Sequence, residues 1–210
     1  MIIDSSYFSL PPLQIPNAQD NILNNSGRNY SANTGLQAFI DRYEDELLYN
    51  VLGSVQLAEL KDQFEQDGSY KPTALQKWKD LVDGTGEWMG LRKTYGDYKV
   101  SLIAYYVFYH YLRDTESFYA TTGIVKPDVA NSITLSANVD LVTQWNKFVT
   151  MYQGDKCYGD YWQSIWFDWN AYLPTYMSNT TSLLSYINSN ADLYDNDFIS
   201  VYGFKNRFGL

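Results

Sequence analysis

Tyr98-Lys99-Val100-Ser101-Leu102-Ile103-Ala104-Tyr105-Tyr106-Val107-Phe108-Tyr109-His110-Tyr111-Leu112-Arg113 is the stretch on which the fold turns. Its apolar and aromatic side chains surround a helix on nearly all sides. A helix apolar all round is buried by other elements. The expected helix covers residues 97–117, with Asp97 as its cap and Arg113 near its negative end. Its apolar run, residues 102–109, is far shorter than the roughly 20 residues of a membrane span. It therefore reads as the centre of a helical bundle.

The helices that would bury it are legible on both sides. Leu36, Phe39, Ile40, Tyr43, Leu47, Leu48, Val51 and Leu52 share a stripe, which predicts a helix over residues 36–52. Thr34 is placed to cap it and Gly53 to end it in a left-handed turn. The acids Asp41, Glu44, Asp45 and Glu46 lie mostly off the stripe and read as a solvated face. A second helix starts after Ser54 and ends near Gly68, and a third covers residues 73–82 behind Pro72. A further helix spans residues 136–152, with Val142, Trp145, Phe148, Val149 and Tyr152 on one face. Residues 160–190 carry two stripes, Tyr161 to Tyr176 and Leu183, Leu184, Ile187, divided by Pro174. Residues 118–135, with Gly123 and Pro127, form a long connection with room for a short hairpin.

Both ends read as arms. Pro11, Pro12 and Pro16 forbid a regular helix near the start, and the Asn24-Asn25-Ser26-Gly27 run is loop chemistry. Tyr7, Phe8, Leu13 and Ile15 are apolar all the same, so this arm lies on something, its own domain or a neighbour. The last stretch has Phe198, Val201, Tyr202, Phe204 and Phe208 beside Lys205 and Arg207. The expected organisation is an arm over residues 1–33, a mainly α bundle of five to six helices over residues 34–192, and a second arm over residues 193–210. Tyr7, Phe8, Leu13, Ile15, Phe198, Val201, Phe204, Arg207 and Phe208 are the expected partner-binding residues, because aromatics and Arg make interface anchors.

No familiar catalytic set emerges. The single histidine, His110, sits in the most apolar helix and reads as a core histidine with one hydrogen bond. The single cysteine, Cys157, lacks Cys or His neighbours at zinc spacing. Asp192, Asp195 and Asp197 have neither the spacing nor the Gly and Glu of a calcium loop. Asp83-Gly84-Thr85-Gly86-Glu87-Trp88-Met89-Gly90 matches neither of the glycine-rich phosphate-loop patterns. No enzyme activity, metal or cofactor is therefore expected. Net charge is -9, which disfavours tight binding to nucleic acid through phosphate contacts. Met1-Ile2-Ile3-Asp4 lacks the form of a signal peptide. Aromatic residues reach 17%, which suits interfaces and also suits a sugar platform. A carbohydrate-binding or carbohydrate-active protein is thus the rival class.

Residues 36–53, Leu36-Gln37-Ala38-Phe39-Ile40-Asp41-Arg42-Tyr43-Glu44-Asp45-Glu46-Leu47-Leu48-Tyr49-Asn50-Val51-Leu52-Gly53, resemble the head–tail connector (adaptor, or head-completion) proteins of tailed bacteriophages. Residues 98–113, Thr122-Gly123-Ile124-Val125-Lys126, Trp145-Asn146 and the closing Asn206-Arg207-Phe208-Gly209-Leu210 add to the resemblance. It is closest to phages of gut Bacteroidetes, including crAss-like phages. The resemblance implies a virion structural protein with no catalytic residues, made in the host cytoplasm and resident in the neck. It implies a bundle that joins copies of itself in a ring, dodecameric in the family, beneath the portal protein. Such a ring extends the DNA channel, lets DNA pass without specific binding and receives the next tail component. A different neck or tail ring is the neighbouring alternative. No membrane partner is implied.

Overall fold

The computed structural model describes residues 2–15, 18, 32–65, 68–95, 98–99, 101–115, 118–120, 123–125, 137–153 and 181–194. The fold is mainly helical: α1 (Ala32–Lys61), α2 (Gln76–Asp83), α3 (Leu102–Thr115), α4 (Ala137–Gln153) and α5 (Leu183–Ser189). Two minimal antiparallel ladders accompany them, β1 (Thr94–Tyr95) with β2 (Tyr98–Lys99) and β3 (Phe118–Ala120) with β4 (Gly123–Val125). The second ladder pairs Phe118 with Val125 and falls where the sequence left room for a hairpin.

α3 is the centre. Every residue from Leu102 to Phe108 is buried. It packs on α1 and α4, and α4 packs on α5. Its start corrects the expected boundary. Residues 98–99 belong to a ladder, and the helix begins at Leu102, where the buried Ser101 hydroxyl accepts the Ala104 amide at 3.0 Å. Ser101 therefore caps the helix; the expected cap, Asp97, lies outside the described residues.

α1 contains both helices expected before residue 68, joined at a kink. Gly53 has φ 75° and ψ 172° inside it, a backbone state that costs an L side chain dearly. The second half stops at Lys61, short of Gly68. The chain then reverses, with the Glu65 amide on Ser69 O at 2.8 Å and the Lys71 amide on Gln63 O at 2.8 Å. Phe64 and Tyr70 stack across this reversal at 4.9 Å. α2 starts at Gln76 rather than residue 73, because the Gln63 side chain accepts the Leu75 amide at 2.9 Å and holds the entry. α4 and α5 follow the expected stripes, with Phe148, Val149, Leu183 and Ile187 buried. The stripe from Tyr161 to Tyr176 lies outside the described residues.

The ends of the body differ from the expected organisation. Ile2, Ile3, Tyr7, Phe8, Leu13 and Ile15 are all core residues, with Phe8 and Leu13 fully buried. Removing side chains of that size from water contributes about 2 kcal/mol apiece, so residues 2–15 belong to the body. Tyr194, placed in the second arm by the sequence reading, is also buried; its hydroxyl donates to Lys77 O at 2.7 Å and its ring meets Trp78 edge-on.

The glycine-rich stretch is a structural turn. Gly90 has φ 85°, and a Cβ there would lie 2.5 Å from the Asp83 carbonyl carbon. Gly86 has φ 57° with open space around it. Gly90→Ala should cost about 3 kcal/mol in urea unfolding, from strain plus backbone overlap, and Gly86→Ala about 1 kcal/mol. Equal losses at the two positions would contradict the close approach at Gly90.

Candidate functional site

Two side-chain constellations organise the body, one around Glu44 and one around His110. Both sit where α1 faces α3 and the leading segment. Glu44 is 4% exposed, against the expectation of a solvated face. Its Oε1 accepts the Ile2 amide at 2.8 Å and its Oε2 the Ile3 amide at 3.0 Å. One carboxylate thus satisfies two successive buried donors, each of which would otherwise cost about 1–3 kcal/mol. Burial pushes its carboxyl pKa up, and the two backbone hydrogen bonds offset part of that rise.

The rest of residues 2–15 is tied down in the same manner. A 3₁₀ turn, Ser5–Phe8, is capped by the Asp4 carboxylate, which accepts the Ser6 amide at 2.8 Å. The Tyr7 hydroxyl donates to Arg92 O at 2.6 Å, and Lys99 donates to the Ser6 hydroxyl. Phe8 stacks on Phe108 of α3 with centroids 6.4 Å apart, and the Ile15 amide closes on Phe8 O at 2.8 Å. Tyr7, Phe8, Leu13 and Ile15, expected as anchors for a partner, are therefore spent on the chain's own core. The other expected anchors, Phe198, Val201, Phe204, Arg207 and Phe208, lie outside the described residues, as do Cys157, Asp195 and Asp197. Asp192 is exposed in a turn.

His110 is 7% exposed and boxed by rings. Tyr43 of α1 stacks on it at 4.2 Å and 12°, Tyr106 meets it edge-on at 4.4 Å, and Tyr109 at 5.2 Å. Neither ring nitrogen has a hydrogen-bond partner among the described residues. The expected single hydrogen bond is thus replaced by stacking, because the neighbours present ring faces rather than acceptors. Burial, followed by the Arg113 charge, pushes its pKa down to about 4. At the rim, the Tyr43 hydroxyl donates to Asp114 at 2.6 Å and Arg113 to the same carboxylate at 2.7 Å. Burial raises the Asp114 carboxyl, but these two donors outweigh it and hold it below its ordinary value. Tyr106 reaches out of the box to Glu46, 2.9 Å away.

An open cleft of about 580 Å³ lies beside the glycine-rich turn, lined by Tyr7, Asp83, Thr85, Trp88, Arg92 and Lys93 among others. It is not built as a phosphate cradle. The Thr85 and Trp88 amides bond each other's carbonyls at 2.9 and 3.0 Å, and Arg92 is held by Asp83 at 2.6 Å and lies over the Tyr70 ring. Among the described residues no group of three or more His, Cys, Asp or Glu is placed to hold a metal, and no helix is long and apolar enough to cross a membrane. Trp78 and Trp88 are buried, and Tyr49 is the aromatic among the large, exposed apolar side chains of the described residues.

Set against protein-family models, curated proteins and solved structures, the chain finds no match in any of the three. The site therefore has to be read from its own geometry. Glu44 was missed in the sequence because its burial depends on a segment 41 residues away; its one local signal is its place beside Tyr43 at the stripe's edge.

The boxed histidine makes stability pH-dependent. Between the unfolded value of about 6.5 and the folded value of about 4, the unfolded chain binds a proton that the folded chain refuses, so stability falls as pH falls. The full loss is about 3 kcal/mol. His110→Phe should remove that component: its stability, measured by urea unfolding relative to the parent, should gain about 3 kcal/mol on going from pH 7 to pH 4. A difference independent of pH would contradict the neutral box.

Proposed function

We propose that this chain is a structural adaptor of a tailed-phage neck, acting by binding rather than by catalysis. The observation that carries the reading is the folding of the two longest stretches that resemble such connectors. Residues 36–53 supply the first half of α1, and residues 98–113 supply β2 and most of α3. The two helices meet face to face through Tyr43, Tyr106 and His110. The motif residues are thus the spine of the body, which is how a shared fold, rather than a shared active site, constrains a sequence.

The chemistry of the described residues fits that role. Three carboxylates with displaced pKa values hold elements together: Glu44 grips a backbone, Asp114 is shared by Tyr43 and Arg113, and Glu59 takes Lys77 at 3.0 Å and the Trp78 indole at 3.2 Å. Held groups of this kind fix geometry. In this reading copies of the chain form a ring under the portal protein and pass DNA through an acidic, non-adhesive channel. With residues 2–15 committed to the body, portal contact falls to the closing stretch, where Phe198, Val201, Phe204, Arg207 and Phe208 are the aromatic and cationic anchors.

Removal of residues 197–210 should leave far-UV circular dichroism and urea stability unchanged and abolish co-purification with the portal protein of the same phage, which the full chain should retain. Portal binding by the truncated chain at full strength would overturn the assignment of the anchors. A full chain that neither binds the portal nor occurs in purified virions by peptide mass spectrometry would overturn the neck reading itself.

A further inference from the structure

The open cleft beside the glycine-rich turn has no part in the neck reading, yet its lining is fixed by the fold. Trp88, Met89 and Tyr7 give it an apolar lining of buried residues. The Trp88 indole donates to Leu81 O at 2.9 Å and its ring stacks on Tyr186 at 5.4 Å. The charged lining residues are Asp83, Arg92 and Lys93. Arg92 is held at three points: its Nε donates to Asp83 at 2.6 Å, its guanidinium lies 4.9 Å from the centre of the Tyr70 ring, and its carbonyl accepts the Tyr7 hydroxyl at 2.6 Å. Only Nε is engaged by Asp83, and the two Nη groups make no hydrogen bond among the described residues. Lys93 is partly exposed, and its ammonium has no hydrogen bond or ion pair among the described residues.

We propose that this cleft binds a monocarboxylate with an apolar body, the carboxylate on the Arg92 Nη groups and Lys93, the body against Trp88 and Met89. Charge selects the class first. Two cations and one anion in the lining leave a single positive charge, which matches a monoanion and falls short of a dianion. Geometry selects it next. A guanidinium already fixed in place presents a planar fork, and a planar carboxylate meets that fork with two hydrogen bonds at little further loss of freedom. A phosphate held at a turn would draw on backbone amides as well, and those of Thr85 and Trp88 are closed on each other's carbonyls. An apolar lining with a few placed polar groups is the usual build of a small-ligand site, and a cleft of about 580 Å³ has room for one aromatic or branched body. The same chemistry recognises a small free acid and the carboxylate at the end of a peptide with an apolar last residue.

Phenylacetate is the probe, titrated into the full chain at constant ionic strength while backbone amide and Arg Nε resonances are followed by NMR. Binding should saturate with a Kd on the order of 1 mM, with shifts centred on Gly84, Gly86, Met89, Lys93 and the Arg92 Nε. Lys93→Gln removes a charge that no described residue uses, so it should keep the fold and weaken binding about 5-fold. The neutral isostere phenylacetamide should bind about 10-fold more weakly than the acid, and inorganic phosphate more weakly still. Acetyl-Gly-Gly-Phe with a free carboxylate separates the two sources. Shifts at the same residues assign the cleft to peptide ends, and binding of phenylacetate alone assigns it to small acids. Shifts that fail to saturate, an unchanged Kd in Lys93→Gln, or binding of the amide or of phosphate as tight as that of the acid would overturn the site.

Discussion

A helix that is apolar on every face has to be covered on every face, and α3 is that helix. No single neighbour does this. α1 covers one side with Tyr43, whose ring lies flat on His110. α4 covers another, with Phe148 and Trp145 against Tyr106 and Tyr109. The remaining flank receives Phe8 from residues 2–15. Residues 2–15 are thus needed by the same requirement that assembles the bundle, and Glu44 is the polar device that lets an extended backbone enter an apolar groove with the Ile2 and Ile3 amides paired.

The requirement explains which features were legible in the sequence. The stripes of Leu36 to Leu52, Val142 to Tyr152 and Leu183 to Ile187 were readable because helical periodicity is local, and Gly53 because a left-handed turn has one preferred residue. Near the prolines, residues 2–15 form a 3₁₀ turn at Ser5–Phe8. Composition alone could not tell that Tyr7, Phe8, Leu13 and Ile15 would be buried by their own chain, since an apolar arm looks the same whether it covers its own body or another's. Glu44 was illegible for a related reason: a carboxylate beside three other acids reads as solvent-facing until the amides of Ile2 and Ile3 are brought to it. The start of α3 was misplaced because Asp97 and Ser101 are both good caps, and the ladder of Thr94–Tyr95 with Tyr98–Lys99 decides for Ser101.

For function, the consequence is a division of labour along the chain. Among the described residues Glu44, Glu59 and Asp114 hold elements together, the histidine is sealed by rings and the glycine-rich turn is closed on its own amides. In the neck reading proposed above, the body would supply rigidity and partner binding would fall to residues 197–210.

The burial of α3 depends on residues 2–15 as an integral cover, and amide hydrogen exchange of the full chain measures this most directly. The Ile2, Ile3 and Ile15 amides, held by Glu44 and by Phe8 O, should exchange with protection comparable to the amides of Tyr105 to Tyr109 in α3. Exchange of residues 2–15 at the rate of an unstructured peptide, with α3 still protected, would contradict it.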